Sequence, residues 1–318
     1  MKKVLFVGDN HVDDKNPVNR SDNYLQATLN KLEECLNIAE ELKYDAVILL
    51  GDLFHRREVG PLARNGVIKI LVKERNFPVY ITVGNHDIQS SHPLENCTLG
   101  TLIDAGLLIK TDFASDLNIA FAHFHNDLDN EIRNGYLTTN SALIWSCHAS
   151  ISDVPGRQEE HMIVFENIPL HPNNVMVVSG HIHKPMECVR SDKKIFINPG
   201  CIGRQSANKD NFERDLKIFA LEYDEVSGEI FKQEYILLNS ALHHTVVFKM
   251  EEIESNKEQK AEVKEFIKSI ASINTNSWNF TSLDDKLDAL KKYAKEANME
   301  DDVIEIVVNA VKSVNMEE

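Results

Sequence analysis

Five apolar runs in this chain end the same way. KKVLFVG leads into Asp9-Asn10-His11, DAVILLG into Asp52-Leu53-Phe54-His55, and VYITVG into Asn85-His86-Asp87. ALIWSC leads into His148, and NVMVVSG into His181-Ile182-His183. Each run is short, apolar on both faces and closed by Gly or another small residue, as a fully buried strand is. In open α/β sheets, groups that follow the carboxyl ends of strands gather along one edge, where sites form. The pattern therefore demands a buried, mostly parallel sheet. It also places seven polar side chains on one edge of that sheet: Asp9, His11, Asp52, Asn85, His148, His181 and His183.

The intervening segments agree with that architecture. After the first strand, Ser21-Asp22 offers a helix N-cap. Leu25, Leu29, Leu32, Leu36 and Ala39 then follow at spacings of three and four, which makes one apolar stripe. A second helix is expected over roughly 62–75, and Pro78 precedes the third strand. The result is a βαβαβ pattern, which belongs to a mostly parallel sheet covered by helices. Further strands are expected at 117–123, 142–147, 162–165, 174–179 and 195–198, and a hairpin over 215–239 turning at Ser227-Gly228. Beyond residue 240 one more strand, HTVVFKM, leads into a charged, helical region with helices at 257–271, 283–297 and 301–314. A polar connector occupies 272–282. The expected domains are residues 1–240, which hold the polar strand ends, and residues 241–318.

The seven side chains offer oxygen and imidazole nitrogen and no thiolate. That set suits manganese, iron or zinc in mixed coordination better than a structural zinc site. Seven donors are too many for one four-coordinate ion and about right for two ions that share a carboxylate. Paired ions clamp the attacking and leaving oxygens of an in-line phosphoryl displacement, so the set points to phosphoester hydrolysis. The five cysteines, Cys35, Cys97, Cys147, Cys188 and Cys201, are odd in number and widely spaced, which argues against a disulfide framework. A net charge of −16 excludes a protein coated by nucleic acid, though not a local groove that holds cations and phosphates. No apolar run approaches the roughly 20 residues needed to span a bilayer, and VLFVG is too short for a signal peptide. No membrane association and a cytoplasmic location are expected.

The ordered series D-x-H, G-D, G-N-H-D and G-H-x-H resembles the calcineurin-like metallophosphoesterases over about the first 200 residues. The resemblance implies a four-layer αββα sandwich, with a small C-terminal α+β cap and helical region. It implies that Asp9, His11, Asp52 and His183 hold one divalent cation, with Asp52 bridging to a second held by Asn85, His148 and His181. His86 matches the family's catalytic histidine, which contacts the phosphate and protonates the leaving oxygen. Asp87, next in sequence, is suited to fix the His86 ring and its tautomer.

Within the superfamily, GDLFHRR followed by GNHD is similar to the SbcD-type DNA repair nucleases rather than to the phosphatases. His55 then matches a second active-site histidine. FINPGCIGRQSA is similar to the N-P-G-S-x-x-R-x-S segment of the same nucleases, with Cys201 where serine is usual. Arg204 there meets either a substrate phosphate or a structural ion-pair partner. The resemblance implies two divalent ions, Mn2+ foremost with Mg2+, Fe2+ or Zn2+ as other occupants. It implies DNA as substrate, an SMC-like ABC ATPase of the SbcC type as partner, and a homodimer. The C-terminal stripes Leu283, Leu287 and Leu290, then Val303, Ile306, Val307 and Val311, suit docking on such a partner or packing on their own domain. His123 and His125 are expected to be structural, Asp13-Asp14 a solvated loop, and one of Arg56 and Arg57 a phosphate contact. Two other functions fit the residues: a phosphodiesterase or phosphatase for a small ester, which would need a closed pocket, and a mainly scaffolding subunit.

Overall fold

A computed structural model describes residues 1–88, 94–153 and 162–255, and scattered positions between 287 and 308. The strands in chain order are β1 (Lys2–Val7), β2 (Ala46–Leu49), β3 (Val79–Ile81), β4 (Phe113–Ala114), β5 (Ile119–Ala122), β6 (Ile144–Cys147), β7 (Ile151–Ser152), β8 (Ile163–Val164), β9 (Met176–Ser179), β10 (Met186–Val189), β11 (Ile195–Asn198), β12 (Lys217–Tyr223) and β13 (Ile230–Leu237). The helices are α1 (Tyr24–Glu41), α2 (Pro61–Leu71), α3 (Thr98–Asp104), α4 (Leu128–Arg133), α5 (Lys209–Glu213) and α6 (His244–Val247).

Two sheets carry the fold. The first runs β13-β12-β1-β2-β3, with β1, β2 and β3 parallel and β12 and β13 antiparallel to their neighbours. The second runs β10-β11-β9-β6-β5-β4, with a parallel centre from β11 to β5 and an antiparallel strand at each edge. Alternation along each strand divides the apolar residues among three cores. Leu5 and Val7 of β1 pack with Leu32 and Leu36 of α1 and Val67 of α2. Val4 and Phe6, from the opposite face, meet Ile119, Phe121, Ile144 and Val178 of the second sheet. Ala120, Trp145 and Val177, on that sheet's far face, meet Leu128 and Ile132 of α4. The layers are therefore helix, sheet, sheet and helix, the expected αββα sandwich.

Helix starts show where local chemistry misleads. The N-cap of α1 is Asn23, whose Oδ1 accepts the Gln26 N–H at 3.0 Å, and not Ser21-Asp22. Asp22 is taken instead by the Arg20 guanidinium, at 2.7 Å to each oxygen. The Asp13-Asp14 pair is no solvated loop. Asp13 is buried and accepts two bonds from Arg56, and Asp14 Oδ1 accepts the Ala63 N–H at 2.6 Å. α2 begins with Gly60 and Pro61, which supply no capping oxygen, so Asp14 provides one from a distant loop.

HTVVFKM is not a strand: residues 244–247 form α6, and the Val246 and Phe248 N–H groups turn back onto the His243 and His244 carbonyls. Two compact units are present, Met1–Phe248 and Lys249–Glu318. In the second, positions 287 and 304 are helical, and Leu287, Ile304 and Val308 are buried. The expected helix at 257–271, the connector at 272–282, and Leu283, Leu290, Val303, Ile306, Val307 and Val311 lie outside the described residues. Among the described residues no helix is long and apolar enough to cross a membrane. Cys35, Cys97, Cys147, Cys188 and Cys201 form no disulfide among the described residues.

Candidate metal centre

The strand ends converge as their sequence requires. The segment after β1 and the segment after β2 lie side by side: the Asn10 and His11 N–H groups both reach the Asp52 carbonyl, at 3.1 and 2.9 Å, and Val12 reaches Leu53 at 2.9 Å. The chain bends sharply there. His11, Asp52 and His181 all have positive φ, at 50°, 46° and 76°, a costly region for residues with a Cβ. Two glycines make room for neighbouring donors. A Cβ on Gly84 would overlap the Asp52 carboxylate, and one on Gly51 (φ 107°) would overlap the His148 ring.

Asp52 stands at the middle. Its Oδ1 accepts the His86 N–H at 2.8 Å. Its Oδ2 lies 3.8 Å from His11 Nε2 on one side and 3.4 Å from His148 Nε2 on the other. On the first side, His11 Nε2 lies 2.9 Å from His183 Nε2, which is 3.7 Å from Asp9 Oδ2. On the second, Asn85 Oδ1 lies 3.0 Å from His148 Nε2 and 2.9 Å from His181 Nδ1. The seven expected donors thus gather on the two sides of Asp52, with His183 joined through His11 and Asp9, and Asn85 through His148 and His181. Asp9 also accepts the His181 N–H, at 3.2 Å to each oxygen, which ties the groups together.

The donor set fits a pair of cations. His148 Nδ1 donates to the Leu50 carbonyl at 2.8 Å, so in the neutral ring Nε2 carries a lone pair. That lone pair faces the Asn85 and Asp52 oxygens, which are acceptors as well. His11 Nε2 and His183 Nε2 also meet at 2.9 Å, and His11 Nδ1 is buried with no partner among the described residues. Acceptors that face acceptors in a buried site need positive charge between them.

The electrostatics carry the same message. Burial raises the Asp9 carboxyl, and the Asp52 charge adds to that rise. Burial also opposes ionisation of Asp52, but His148 and His11 outweigh it and hold the carboxyl well below the usual range. Burial disfavours a charged His148, yet Asp52 and Asp9 together push it up to about 9. Burial lowers His181 and His183 to about 4, helped by His148 and Arg214 respectively, and it holds His11 well below its ordinary value. Most of these rings are neutral donors at neutral pH, and His148 takes up a proton where a metal ion's charge is called for.

His86 is adjacent to the metal donors. Its ring stacks on His55 at 5.1 Å and meets His11 edge-on at 4.8 Å. Asp87 does not orient it. The Asp87 carboxylate is fully buried and accepts the Phe54 and Gly84 N–H groups, at 3.2 and 3.0 Å. His86 Nδ1 donates instead to the His55 carbonyl at 2.7 Å. The expectation for Asp87 fails because its two oxygens are already needed to fold the turns around both motifs.

Arg204 takes neither of its expected roles: it is buried, and its guanidinium donates to the Leu242 and Arg214 carbonyls, at 2.5 and 2.8 Å. Arg56 and Arg57 are paired with Asp13 and Glu58. His123 is structural, accepting the Val83 N–H through Nδ1 at 3.1 Å and donating to Thr111 through Nε2 at 3.0 Å. His125 is exposed beside Glu131.

Two site residues escaped the sequence reading. Phe124 packs against the rings of His148 and His181, at 6.3 and 6.4 Å, and Gln205 reaches His55. An aromatic and an amide in loops carry no spacing signal of their own.

Among the solved structures similar to this chain are two whose descriptions bear on phosphoesters. One is a dimetal phosphatase from Danio rerio, 11% identical, with a TM-score of 0.45, covering 76% of this chain and 99% of that one. The other is a conserved protein from Streptococcus pneumoniae described as a predicted phosphoesterase. It is 15% identical, with a TM-score of 0.29, covering 74% of this chain and 98% of that one. No curated protein sequence matches. The family model of calcineurin-like phosphoesterases matches residues 2–185, more than half of the sequence and all seven donors. The chain belongs to the calcineurin-like phosphoesterase family.

Proposed function

We propose that this phosphoester hydrolase is a DNA nuclease of the SbcD type. It would cleave DNA phosphodiesters in repair or recombination, with an SMC-like ABC ATPase and a second copy of itself as partners. Members of the family use a dinuclear metal site, and the two donor groups around Asp52 suit one. Asp9, His11, Asp52 and His183 would hold one divalent cation, and Asp52, Asn85, His148 and His181 the other, with Mn2+ the foremost occupant. When bound, the pair supplies Lewis-acid charge and an activated water.

The observation that carries the nuclease reading is the second histidine. The His55 ring, from the GDLFH motif, lies stacked on His86, so two imidazoles stand side by side next to the metal donors. His86 holds its Nδ1 proton on the His55 carbonyl, which leaves Nε2 to contact the phosphate and pass a proton to the leaving oxygen. His55 would then bind a second phosphate oxygen. The charge of −16 fits a subunit that binds DNA weakly by itself and relies on cations and a partner.

A second reading, a phosphodiesterase or phosphatase for a small ester, is favoured by one feature. A cavity of about 270 Å3 adjoins His181 and His183 and is lined by Lys184, Gln205 and Arg214. That volume sits near the low end of small-molecule sites, roughly 300–1,000 Å3.

The test is direct. Purified protein with Mn2+ is expected to degrade single-stranded DNA or duplex ends. His86→Ala is expected to lower turnover by about 100-fold or more while titrating the same amount of Mn2+. Hydrolysis of a small phosphomonoester or cyclic nucleotide, with DNA left intact even beside the ATPase, would overturn the nuclease reading.

A further inference from the structure

The loop that follows β11 brings Gln205 against His55, with Gln205 Nε2 2.8 Å from His55 Nδ1. An amide can meet an imidazole with either end, and the two choices put the ring proton on opposite nitrogens. A third residue decides. Tyr24, the first residue of α1, is buried and gives its hydroxyl proton to the His11 carbonyl at 3.0 Å. Its oxygen therefore turns only lone pairs toward the neighbouring Gln205 side chain, which favours the NH2 end of the amide there. The NH2 group of Gln205 is thus the end that meets the ring, and it donates to His55 Nδ1.

We infer that Gln205 is a positioning residue: it holds neutral His55 in the tautomer whose proton is on Nε2, so that His55 offers the substrate a hydrogen-bond donor. The consequence is a pair of stacked histidines in opposite states. His86 has its Nδ1 proton fixed on the His55 carbonyl, and its Nε2 is the end that exchanges a proton. His55 has its Nδ1 lone pair fixed by Gln205, and its Nε2–H is a permanent donor to a non-bridging phosphate oxygen. Residue 55 takes part in both, through its carbonyl and through its ring. This assignment rests on His55 meeting the phosphate, as proposed above.

Gln205→Glu tests it without changing shape. A carboxylate can only accept, so it draws the proton to His55 Nδ1 and leaves a lone pair at Nε2 facing the phosphate. Histidine-selective 15N spectra of the full chain loaded with Zn2+, a diamagnetic ion, report the tautomer directly, with His55→Asn identifying the resonance. The wild type is expected to show the proton on Nε2, and Gln205→Glu on Nδ1. With Mn2+, Gln205→Glu and Gln205→Leu are each expected to lose about 10–100-fold in kcat, as partners that orient active-site histidines typically do. Mn2+ affinity is expected to stay unchanged. A merely structural Gln205 would leave the isosteric Glu variant active.

The proposal falls if wild-type His55 carries its proton on Nδ1. It also falls if Gln205→Glu moves the proton and keeps wild-type kcat. Each rate is measured on DNA and on bis(p-nitrophenyl) phosphate. Wild-type turnover of the small ester alone would reject the nuclease reading, and Gln205 would then be decided on that ester and on the spectra.

Discussion

Asp87 shows how a residue's neighbours in sequence and its neighbours in space can assign it different work. Beside His86 in GNHD it looked like an orienting carboxylate. In the fold it is sealed away from the ring and joins two turns by accepting the Phe54 and Gly84 N–H groups. Burial raises its carboxyl, with the Asp52 charge adding to the rise. Removing it leaves two buried donors without a partner. Asp87→Ala is expected to cost about 2–4 kcal/mol in urea unfolding of the metal-free protein, at roughly 1–3 kcal/mol for each orphaned group with partial relaxation. Asp87→Asn, which keeps one acceptor oxygen, is expected to cost about half as much. An Asp87→Ala protein of unchanged stability that has lost only turnover would restore the role read from the motif.

At the scale of elements, what was legible was what period and composition determine. β1, β2, β3, β5, β6 and β9 are apolar runs long enough to read, and the donors after them followed from the strand ends alone. α3, α4 and α5 went unread because each has seven residues or fewer, too short for a repeating stripe. β10, MECV, alternates poorly and is held by its pairing with β11. HTVVFKM read as a strand from its β-branched residues but forms a helical turn, a case of context overriding propensity.

The segment after β5 carries a pH response that its sequence did not suggest. His123 joins the end of β3 to Thr111 and is neutral in the fold; burial lowers it to about 4, and Lys110 adds to the effect. The unfolded chain titrates near 6.5, so between about pH 6.5 and 4 the unfolded state binds the extra proton. Stability from this contact is complete above about pH 6.5 and falls as pH drops through that window. Unfolding of the wild type at pH 7 and 4.5 is expected to show a loss about 2–3 kcal/mol greater than in His123→Gln, which can still accept from Val83 and donate to Thr111. Parallel losses in the two proteins would contradict this.

For the whole molecule, the metal centre is a fastener as well as a reaction site. Its donors come from the loops after β1, β2 and β3 in one sheet and after β6 and β9 in the other, so cations there bind the folded chain and not the unfolded one. At a free Mn2+ concentration 100 times its dissociation constant, each site would add about 2.7 kcal/mol. For a protein of this size that raises the midpoint by about 5–10 °C. Thermal scans in chelator and in rising Mn2+ check this; a midpoint indifferent to both would mean that the donors hold no ion.

The same arrangement has a consequence for how the chain is made. β1 is central in the first sheet, but Lys2 finds its antiparallel partner only at Tyr223. At roughly 5–20 residues per second of synthesis, one edge of KKVLFV stays open for about 10–40 s after it is made. Throughout that interval a strand with four buried apolar residues carries unpaired N–H and C=O groups, the condition in which strands join the wrong neighbour. The last strands of this sheet to arrive, a hairpin that contributes no metal donor, are the ones that close it.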